Sequence, residues 1–199
     1  MGEPRGVTEF IIAGTDEAGR GPLAGPVVAA VAVLTAEQRK ILLSAGLRDS
    51  KKLTPKRREV LFEEICDIGV IWRAQAACSR RIDRMNILQA SLWCMKRSVE
   101  RLSVKPSLVL VDGNQKIPGL LVPQKTIIKG DDRVPVIAAA SVIAKVLRDR
   151  VMTAMDLIYP QYAFAKHKGY PTALHKKLIA EYGPSPIHRL SFRGVLTQK

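Results

Sequence analysis

The chain reads FIIAGTDEAGRGPLAGPVVAAVAVL over residues 10–34. Residues 10–15 form a short apolar run, and residues 27–34 form a longer run of β-branched and small side chains. The segment between them, Gly19–Pro26, is rich in glycine and proline, and its two prolines oppose a helix across the turn. This arrangement predicts a strand, a tight turn and a second strand.

The rest of the chain alternates between helical and strand patterns. The predicted helices are Pro55–Gly69 with Thr54 as its cap, Asp83–Leu102, and Pro135–Met155. The further predicted strands are Val70–Cys78, Leu108–Val111 and Gln124–Lys129. Such alternation predicts an α/β fold followed by a basic, helical C-terminal appendage. We expect a single domain over residues 1–199, with its core at about residues 8–156 and the appendage at about residues 157–199.

Composition indicates a globular protein with a polyanionic partner. The chain has 199 residues, 47% of them hydrophobic and 25% charged, and a net charge of +14. This excess of basic residues favours nucleic acid over a membrane surface, since no segment is basic on one face and strongly apolar on the other. The first ten residues lack the long apolar stretch of a secretory signal, and no apolar run approaches the ~20 residues that cross a bilayer. Three cysteines without metal-ligand spacing suggest a reducing cytosol.

Four acidic residues stand at the borders of predicted elements. Asp16 and Glu17 follow the first apolar run, and Asp112 follows the buried run at residues 108–111. Asp131 lies shortly before the third predicted helix. Strand ends are where α/β folds usually place chemistry. Because there is no Cys/His cluster for zinc, any metal must be a hard cation held by carboxylates, which in a basic protein suggests metal-assisted phosphoryl chemistry.

Each of these acids also has a purely structural interpretation. Neighbours on a strand point to opposite faces, so Asp16 and Glu17 share a metal only where the strand ends or is distorted. Asp112 begins an Asp-Gly-Asn sequence that suits an ordinary turn. Asp131 suits a cap for the exposed N–H groups of the helix that follows. Asp149, between two arginines, is most simply an ion-paired surface residue. Sequence alone leaves these alternatives open.

Three further segments suggest contacts with phosphate or base. Gly19–Ala24 matches the loose dinucleotide fingerprint, but its prolines oppose the helix that this fingerprint needs. The same glycines would let the backbone approach a substrate phosphate or sugar, with Arg20 supplying charge. Lys51 lies in a charged cluster that is either solvated or a phosphate clamp. Tyr170, within basic residues 166–171, is either a packing residue or a stacking platform.

Taken together, these segments resemble bacterial ribonuclease HII, the type 2 RNase H group. The matching motifs occur in family order across essentially the whole chain, from Asp16 to Phe192. They are DEAGRGPLAGPV at 16–27, DSKKL at 49–53, NILQAS at 86–91, DGN at 112–114, KGD at 129–131, AAASVIAKV at 138–146, RD at 148–149, HKGYPT at 167–172 and GPSPIHR at 183–189.

The resemblance implies an RNase H-like fold, in which a mixed five-stranded sheet is flanked by helices and followed by the C-terminal helical appendage. It implies an endonuclease that hydrolyses the RNA strand of RNA–DNA hybrids and cuts at ribonucleotides embedded in duplex DNA. Water attacks the phosphorus with the assistance of Mg²⁺ or Mn²⁺ and leaves 3′-hydroxyl and 5′-phosphate ends.

The resemblance also implies roles for individual residues. The implied catalytic residues and metal ligands are Asp16, Glu17, Asp112 and Asp131. The expected substrate contacts are Gly19, Arg20, Gly21, Lys51 and Tyr170. In this scheme the glycine-rich backbone approaches the ribose 2′-hydroxyl, the group that distinguishes RNA from DNA at a site, and the tyrosine stacks beside the junction.

Two rival classes remain: a basic nucleic-acid-binding protein without catalysis and an enzyme that uses a nucleotide cofactor. A pure phosphate binder gains nothing from concentrating negative charge where its ligand sits, and the prolines weaken the cofactor interpretation. We expect the partner to be an RNA–DNA hybrid or duplex DNA containing ribonucleotides, with no membrane. We expect a monomer located in the cytoplasm.

Overall fold

The computed structural model describes residues 10–196 and contains one mixed five-stranded sheet. Its strands are β1 (Ile12–Ala18), β2 (Val27–Val33), β3 (Ile71–Ala77), β4 (Leu108–Asp112) and β5 (Gln124–Ile127). The strand order is β3-β2-β1-β4-β5. β1 pairs antiparallel with β2, and β2 with β3, whereas β1–β4 and β4–β5 are parallel. The predicted mixed sheet is therefore confirmed.

Between residues 10 and 196 the chain also forms eight α-helices. They are α1 (Ala36–Ser44), α2 (Pro55–Asp67), α3 (Ser79–Met85), α4 (Ile87–Glu100), α5 (Gly130–Arg133), α6 (Pro135–Ile158), α7 (Phe164–His167) and α8 (Ala173–Tyr182). Two 3₁₀ turns lie at Ser50–Lys52 and Pro160–Tyr162. The long helix α6 packs against β1 and β2, and α4 packs against β2 and β3. The predicted α/β fold, with a sheet flanked by helices, is confirmed.

Small side chains set how closely α6 approaches the sheet. Ala30 and Ala32 face α6 in one core cluster, while Ala29 and Val31 face the α4 side in the other. At Gly14 a Cβ atom would lie 2.6 Å from the carbonyl carbon of Val136, so only glycine lets the first turn of α6 touch β1. This close approach places α5, which directly precedes α6, near the C-terminal part of β1.

Two sequence predictions need correction. β1 does not stop at Thr15 but continues through Asp16 and Glu17 to Ala18, because pairing with β2 carries the ladder past the apolar run. The single helix expected at 83–102 is two helices, α3 and α4, separated by Asn86 at φ 63°. Its side chain accepts a hydrogen bond from Gln89 N and so caps α4, which the uninterrupted apolar stripe did not reveal.

The C-terminal appendage is only partly helical. It contains the 3₁₀ turn at Pro160–Tyr162, α7 and α8, and then continues in turns to residue 196. The predicted domain limits, residues 1 and 199, and the predicted start of the core at about residue 8 lie outside the described residues. The division into core and appendage stays a prediction. Within residues 10–196 no helix is long and apolar enough to cross a membrane.

Candidate active site

Three carboxylates meet where the parallel pairing of β1 with β4 ends. The parallel register pairs Thr15 with Val111, so the next residues, Asp16 and Asp112, lie side by side on the face covered by α6. Asp131 reaches the same place from α5. Each of the three offers one oxygen, and these oxygens lie within 4.8 Å of one another. Pairing of the strands thus brings together acids that are more than 90 residues apart in the chain.

Local contacts hold Asp112 and Asp131 in place. Asp112 Oδ1 accepts hydrogen bonds from the backbone N–H groups of Gly130 at 2.7 Å and Asp131 at 3.4 Å. Asp112 therefore accepts from the free N–H groups at the start of α5. Asp131 does not cap α6, although its position in the sequence suggested that it would. A Cβ at Gly130 would lie 2.6 Å from Ile137 Cδ1, which explains the glycine.

Lys51 is the one cation that touches this group directly among the described residues. Its Nζ lies 3.0 Å from Asp131 Oδ2, although its side chain is 74% exposed. The neighbouring Ser50 anchors the 3₁₀ turn on α6 through a 2.8 Å hydrogen bond to Ser141. Partial burial disfavours the charged form of Lys51, but the hydrogen bond and charge of Asp131 raise its pKa to about 12. Lys51 therefore stays charged beside the acids.

The electrostatics of the three acids favour binding of a cation. Burial, followed by the charges of Glu17 and Asp112, raises the pKa of Asp16 well above its ordinary value. Burial and the charge of Asp131 likewise raise the pKa of Asp112. Among the described residues, Asp16 Oδ2 is buried with no hydrogen-bond partner. A buried, unpartnered oxygen in a set of carboxylates fits a hard divalent cation, which would supply the missing positive charge.

Glu17 is the one predicted acid that lies outside this three-carboxylate group. It is still within β1 and pairs with Ala29, which packs on the opposite face of the sheet, toward α4. Its Oε1 lies 3.5 Å from Arg20 Nη1. Burial raises the pKa of Glu17 in spite of the Arg20 charge. Alternation along the strand accounts for the separation from Asp16, and a metal-binding role for Glu17 stays a prediction.

The glycine-rich loop Gly19–Pro26 lies beside the acids and leads into β2 rather than into a helix. This excludes the dinucleotide fingerprint, whose phosphate site is a helix N-terminus. Gly19 has φ 98°, and a Cβ there would collide with the guanidinium of Arg148. The close approach seen at Gly19 is made to Arg148 of the protein itself. Approach of the loop backbone to a substrate phosphate or sugar stays a prediction.

Two fully buried arginines, Arg148 and Arg189, support this loop by hydrogen bonds to its backbone carbonyls. The sequence alone did not predict this role. Arg148 donates to the carbonyl groups of Pro26 and Ala24 at 3.0 and 3.2 Å. Arg189 donates to Gly19 O at 2.6 Å and also to Arg20, Gly25 and Pro26. Within residues 10–196 neither arginine forms an ion pair with a carboxylate. No signal in the sequence marks them as loop supports, since their partners are distant backbone carbonyls.

Tyr170 stands at the edge of the loop with its ring partly open. The residue is 39% exposed, and its Cε1 lies 3.9 Å from the position a Cβ would take on Gly21. Lys145 Nζ and Arg148 Cζ lie 5.6 and 5.7 Å from the ring centroid. Of the two interpretations of Tyr170, this geometry favours the presented ring over a core tyrosine.

A basic groove of about 890 Å³ opens beside Tyr170. The cationic residues that line it are Arg58, Lys145, Arg150, Lys166 and Lys168. Asp149 also lies there, with Oδ1 2.7 Å from Lys145 Nζ and Oδ2 3.7 Å from Arg58 Nη2. Its side chain is 15% exposed, so it is an ion-paired residue but not the surface residue expected from the sequence. Glu59 and Asp149 are its acidic lining residues, so the groove keeps a net positive charge beside Tyr170.

Comparison with known proteins agrees with this geometry. The family model described as Ribonuclease HII matches residues 13–195. Ribonuclease H2 from Pyrococcus horikoshii OT3 is 30% identical, with a TM-score of 0.78 over 93% of this chain and 95% of that one. The structure of the PCNA:RNase HII complex from Archaeoglobus fulgidus is 28% identical, with a TM-score of 0.79 over 95% and 97%.

A more distant structure supports the fold alone. Bst-RNase HIII, in a crystal structure with Mn²⁺, is 18% identical, with a TM-score of 0.73 over 94% of this chain and 68% of that one. The bacterial branch of the family stays a prediction. On the match over residues 13–195 and the two structures above, the chain belongs to the ribonuclease HII family and is a ribonuclease H.

Proposed function

We propose that this ribonuclease H hydrolyses the RNA strand of RNA–DNA hybrids and also cuts at ribonucleotides embedded in duplex DNA. The observation that carries the proposal is the group formed by Asp16, Asp112 and Asp131, with its buried and unpartnered oxygen, beside a glycine-rich loop. The products are a 3′-hydroxyl and a 5′-phosphate. The protein acts as a monomer in the cytoplasm, and its partner is nucleic acid.

Asp16, Asp112 and Asp131 would hold the divalent cation, Mg²⁺ or Mn²⁺, with Glu17 adding charge from the neighbouring position. The Mn²⁺ complex of Bst-RNase HIII supports this class of ion for the fold. When bound, the cation lowers the pKa of water and offsets charge that develops on the phosphate. The carboxylates could not approach a phosphate without it, because four acids would repel the substrate.

The residues around the carboxylates orient the reaction. Water loses a proton and forms a new bond to phosphorus, the bond from phosphorus to the 3′-oxygen breaks, and that oxygen takes up a proton to leave as a hydroxyl. Lys51, held by Asp131 yet largely exposed, offers its charge to the scissile phosphate. The buried positions of Asp16 and Asp131, 3% and 4% exposed, limit their movement and keep the two ligands ready for the ion.

Recognition of the ribose comes from the loop and Tyr170. Arg189 already occupies the carbonyl oxygens of Gly19 and Arg20, so the N–H groups of residues 19–21 and the Arg20 side chain would be the donors toward the substrate. A 2′-hydroxyl can accept from such donors, whereas deoxyribose leaves them without a partner. Tyr170 stacks against the nucleotide beside the cut.

A non-catalytic nucleic-acid-binding protein is the rival that the same charge distribution allows. It is disfavoured because three clustered carboxylates weaken phosphate binding unless a cation is bound among them. The test is incubation with a duplex that contains one ribonucleotide, in Mg²⁺, Mn²⁺ or EDTA, followed by mapping of both ends. An all-DNA duplex of the same sequence is the control.

The expected result is a single cut at the ribonucleotide that needs the metal and leaves 3′-hydroxyl and 5′-phosphate ends. Cleavage of long hybrids alone, with the embedded ribonucleotide left intact, would contradict the proposed cleavage at ribonucleotides in duplex DNA. Cleavage that persists in EDTA would overturn the assignment of the acids as metal ligands.

A further inference from the structure

All three histidines of the chain meet in the C-terminal segment, outside the carboxylate site. The rings of His167 and His175 are stacked, with centroids 4.2 Å apart. Nε2 of His175 lies 3.0 Å from Nε2 of His188. The three residues are buried, with exposures of 8%, 0% and 2%. Buried imidazoles in direct contact need a defined arrangement of protons, because two N–H groups or two lone pairs cannot face each other.

The hydrogen-bond partners assign that arrangement. The backbone N–H of Ser185 donates to Nδ1 of His188 at 2.8 Å, so this nitrogen carries a lone pair. In neutral His188 the proton is therefore on Nε2, and it is donated to Nε2 of His175. His175 in turn carries its proton on Nδ1 and donates it to the carbonyl of Tyr170 at 2.9 Å. The bonds run in one direction, from Ser185 to Tyr170.

We name Ser185, His188, His175 and the Tyr170 carbonyl the histidine relay. His167 supports it from the side: its Nδ1 accepts from Gly169 N at 3.1 Å and its Nε2 donates to Tyr162 O at 2.8 Å. Burial lowers the pKa of both His175 and His188 to about 4, so both rings are neutral near pH 7. Every ring nitrogen has its partner, and the relay cannot take up a proton without losing a hydrogen bond.

The start of the relay is tied to the glycine-rich loop. Arg189 follows His188 directly and donates to the carbonyls of Gly19 and Arg20 at 2.6 and 3.0 Å. Its backbone N–H also donates to Leu23 O at 2.8 Å. Arg189 therefore binds the loop, and its neighbour His188 contacts the Tyr170 backbone by way of His175. One short turn connects the two elements expected to contact the ribonucleotide.

We propose that His188 and His175 are positioning residues that set the place of Tyr170 relative to the Gly19–Gly21 backbone. Neither imidazole needs to touch the substrate. The relay fixes the Tyr170 carbonyl, and with it the direction in which the half-exposed ring leaves the backbone. This inference rests on the proposed function, since it assumes that Tyr170 and the loop read one ribonucleotide together.

Two amide substitutions at His188 distinguish a role in the hydrogen bonds of the relay from a role in packing alone. In His188→Gln the side-chain NH₂ falls near the position of Nε2, so the bond to His175 can be kept. In His188→Asn, one methylene shorter, the amide oxygen falls near Nδ1 and keeps the Ser185 bond but cannot reach His175. Both side chains are uncharged, and Tyr170→Ala supplies the reference for loss of the ring.

The measurement is kcat/KM on a duplex with one ribonucleotide, with thermal melting of each variant. His188→Asn should lower kcat/KM by roughly tenfold, as expected for a displaced stacking contact, whereas His188→Gln should keep most of it. In the Tyr170→Ala background, His188→Asn should add little further loss, because both act on the same contact. Equal losses in both variants that follow the melting temperature, or full additivity with Tyr170→Ala, would overturn the proposal.

Nitrogen NMR of the wild-type imidazoles tests the geometry without any activity. His175 should be the Nδ1–H tautomer, with His188 and His167 as Nε2–H tautomers, near pH 7. Any other tautomer at His175 would contradict the hydrogen-bond arrangement of the relay. If the wild-type protein does not cut the single-ribonucleotide duplex while the tautomers are as stated, the proposed function fails and the relay geometry stands. A wild-type enzyme that cuts, with an unaffected His188→Asn variant, refutes the positioning role alone.

Discussion

The carboxylate site and the histidine relay are both buried and polar, but they differ in how their polar atoms are satisfied. At the carboxylate site like charges crowd together, the pKa values of Asp16 and Asp112 are raised, and an oxygen of Asp16 has no partner within the described residues. In the relay every imidazole nitrogen of His175 and His188 has a hydrogen-bond partner. The unpartnered oxygen of Asp16 lies among like charges and therefore indicates a bound cation, whereas the satisfied nitrogens of the relay indicate a place where the fold is held.

The largest expected effect is at Asp112. Asp112→Asn should lower cleavage by roughly a thousandfold or more, because a neutral amide is a poor ligand for a hard cation and the ion stabilises the transition state. Substrate binding should survive or tighten, since one charge that repels phosphate is removed. Single-turnover cleavage at saturating Mg²⁺ and binding in Ca²⁺ measure the two effects. Near wild-type turnover would refute the metal-ligand assignment.

Asp131→Asn should give a smaller loss of activity, with stability falling less than activity. Its amide oxygen can still accept from Lys51, whose side chain is largely exposed, so loss of the Asp131 charge should change the free energy of unfolding little. Cleavage rates and urea denaturation of the same preparations give the comparison. A loss of activity that merely follows loss of folded protein would favour a structural role for Asp131.

Tyr170→Ala should lower kcat/KM at a single embedded ribonucleotide by roughly 5- to 150-fold, the range for one stacked base. The effect on a long hybrid should be smaller, because many registers there are productive. Tyr170→Phe should keep most activity if the ring face makes the contact and lose it if the hydroxyl is essential. Equal losses on both substrates, together with a lowered melting temperature, would show that Tyr170 only packs.

The relay also predicts a pH dependence of stability. The folded pKa of His175 and His188, about 4, lies below the ordinary value of 6.5. Between these two pH values the unfolded chain therefore binds more protons at these histidines than the folded protein does. Below pH 6.5 the free energy of unfolding should therefore fall, by at most about 1.4 kcal/mol per pH unit for each histidine, until pH 4. The other titratable groups near the relay are His167, whose own pKa is lowered by burial, and Asp156, whose charge acts on His167.

The carboxylate site opposes this trend, because the raised pKa values of Asp16, Glu17 and Asp112 let the folded state take up protons as the pH falls. The relay contribution is isolated by comparing urea denaturation of the wild type and His188→Gln between pH 4 and 7. The variant lacks one titrating imidazole, so its slope should be shallower. Identical slopes would show that His188 titrates normally.

The smallest effect concerns the basic groove. Lys166→Glu or Lys168→Glu should reduce the slope of log affinity against log salt by about one for each phosphate that the variant no longer neutralises. Lys105→Glu, an equal charge change just before β4 and at the opposite end of the strand from Asp112, is the matched control. Affinity that does not depend on salt, or equal slopes for all three variants, would contradict phosphate tracking by the groove.

Much of the architecture was predictable because its causes are local. The strand at Val27–Val33 follows from β-branched spacing, and the start of α2 follows from Thr54 and Pro55, whose roles depend only on neighbouring residues. The break at Asn86 was missed because the apolar stripe runs through it, while its positive φ is a backbone property that hydrophobic periodicity does not record.

The sequence by itself determined the α/β alternation, the acids at the ends of elements and the glycine-rich turn, since periodicity and turn chemistry act over a few residues. Only the tertiary structure decided that Glu17 faces away from Asp16, because strand register continues to Ala18. It also decided that Arg189 supports Gly19, 170 positions away, and that His188 meets His175. Such hydrogen bonds depend on where distant backbone groups come to lie, which no local pattern encodes.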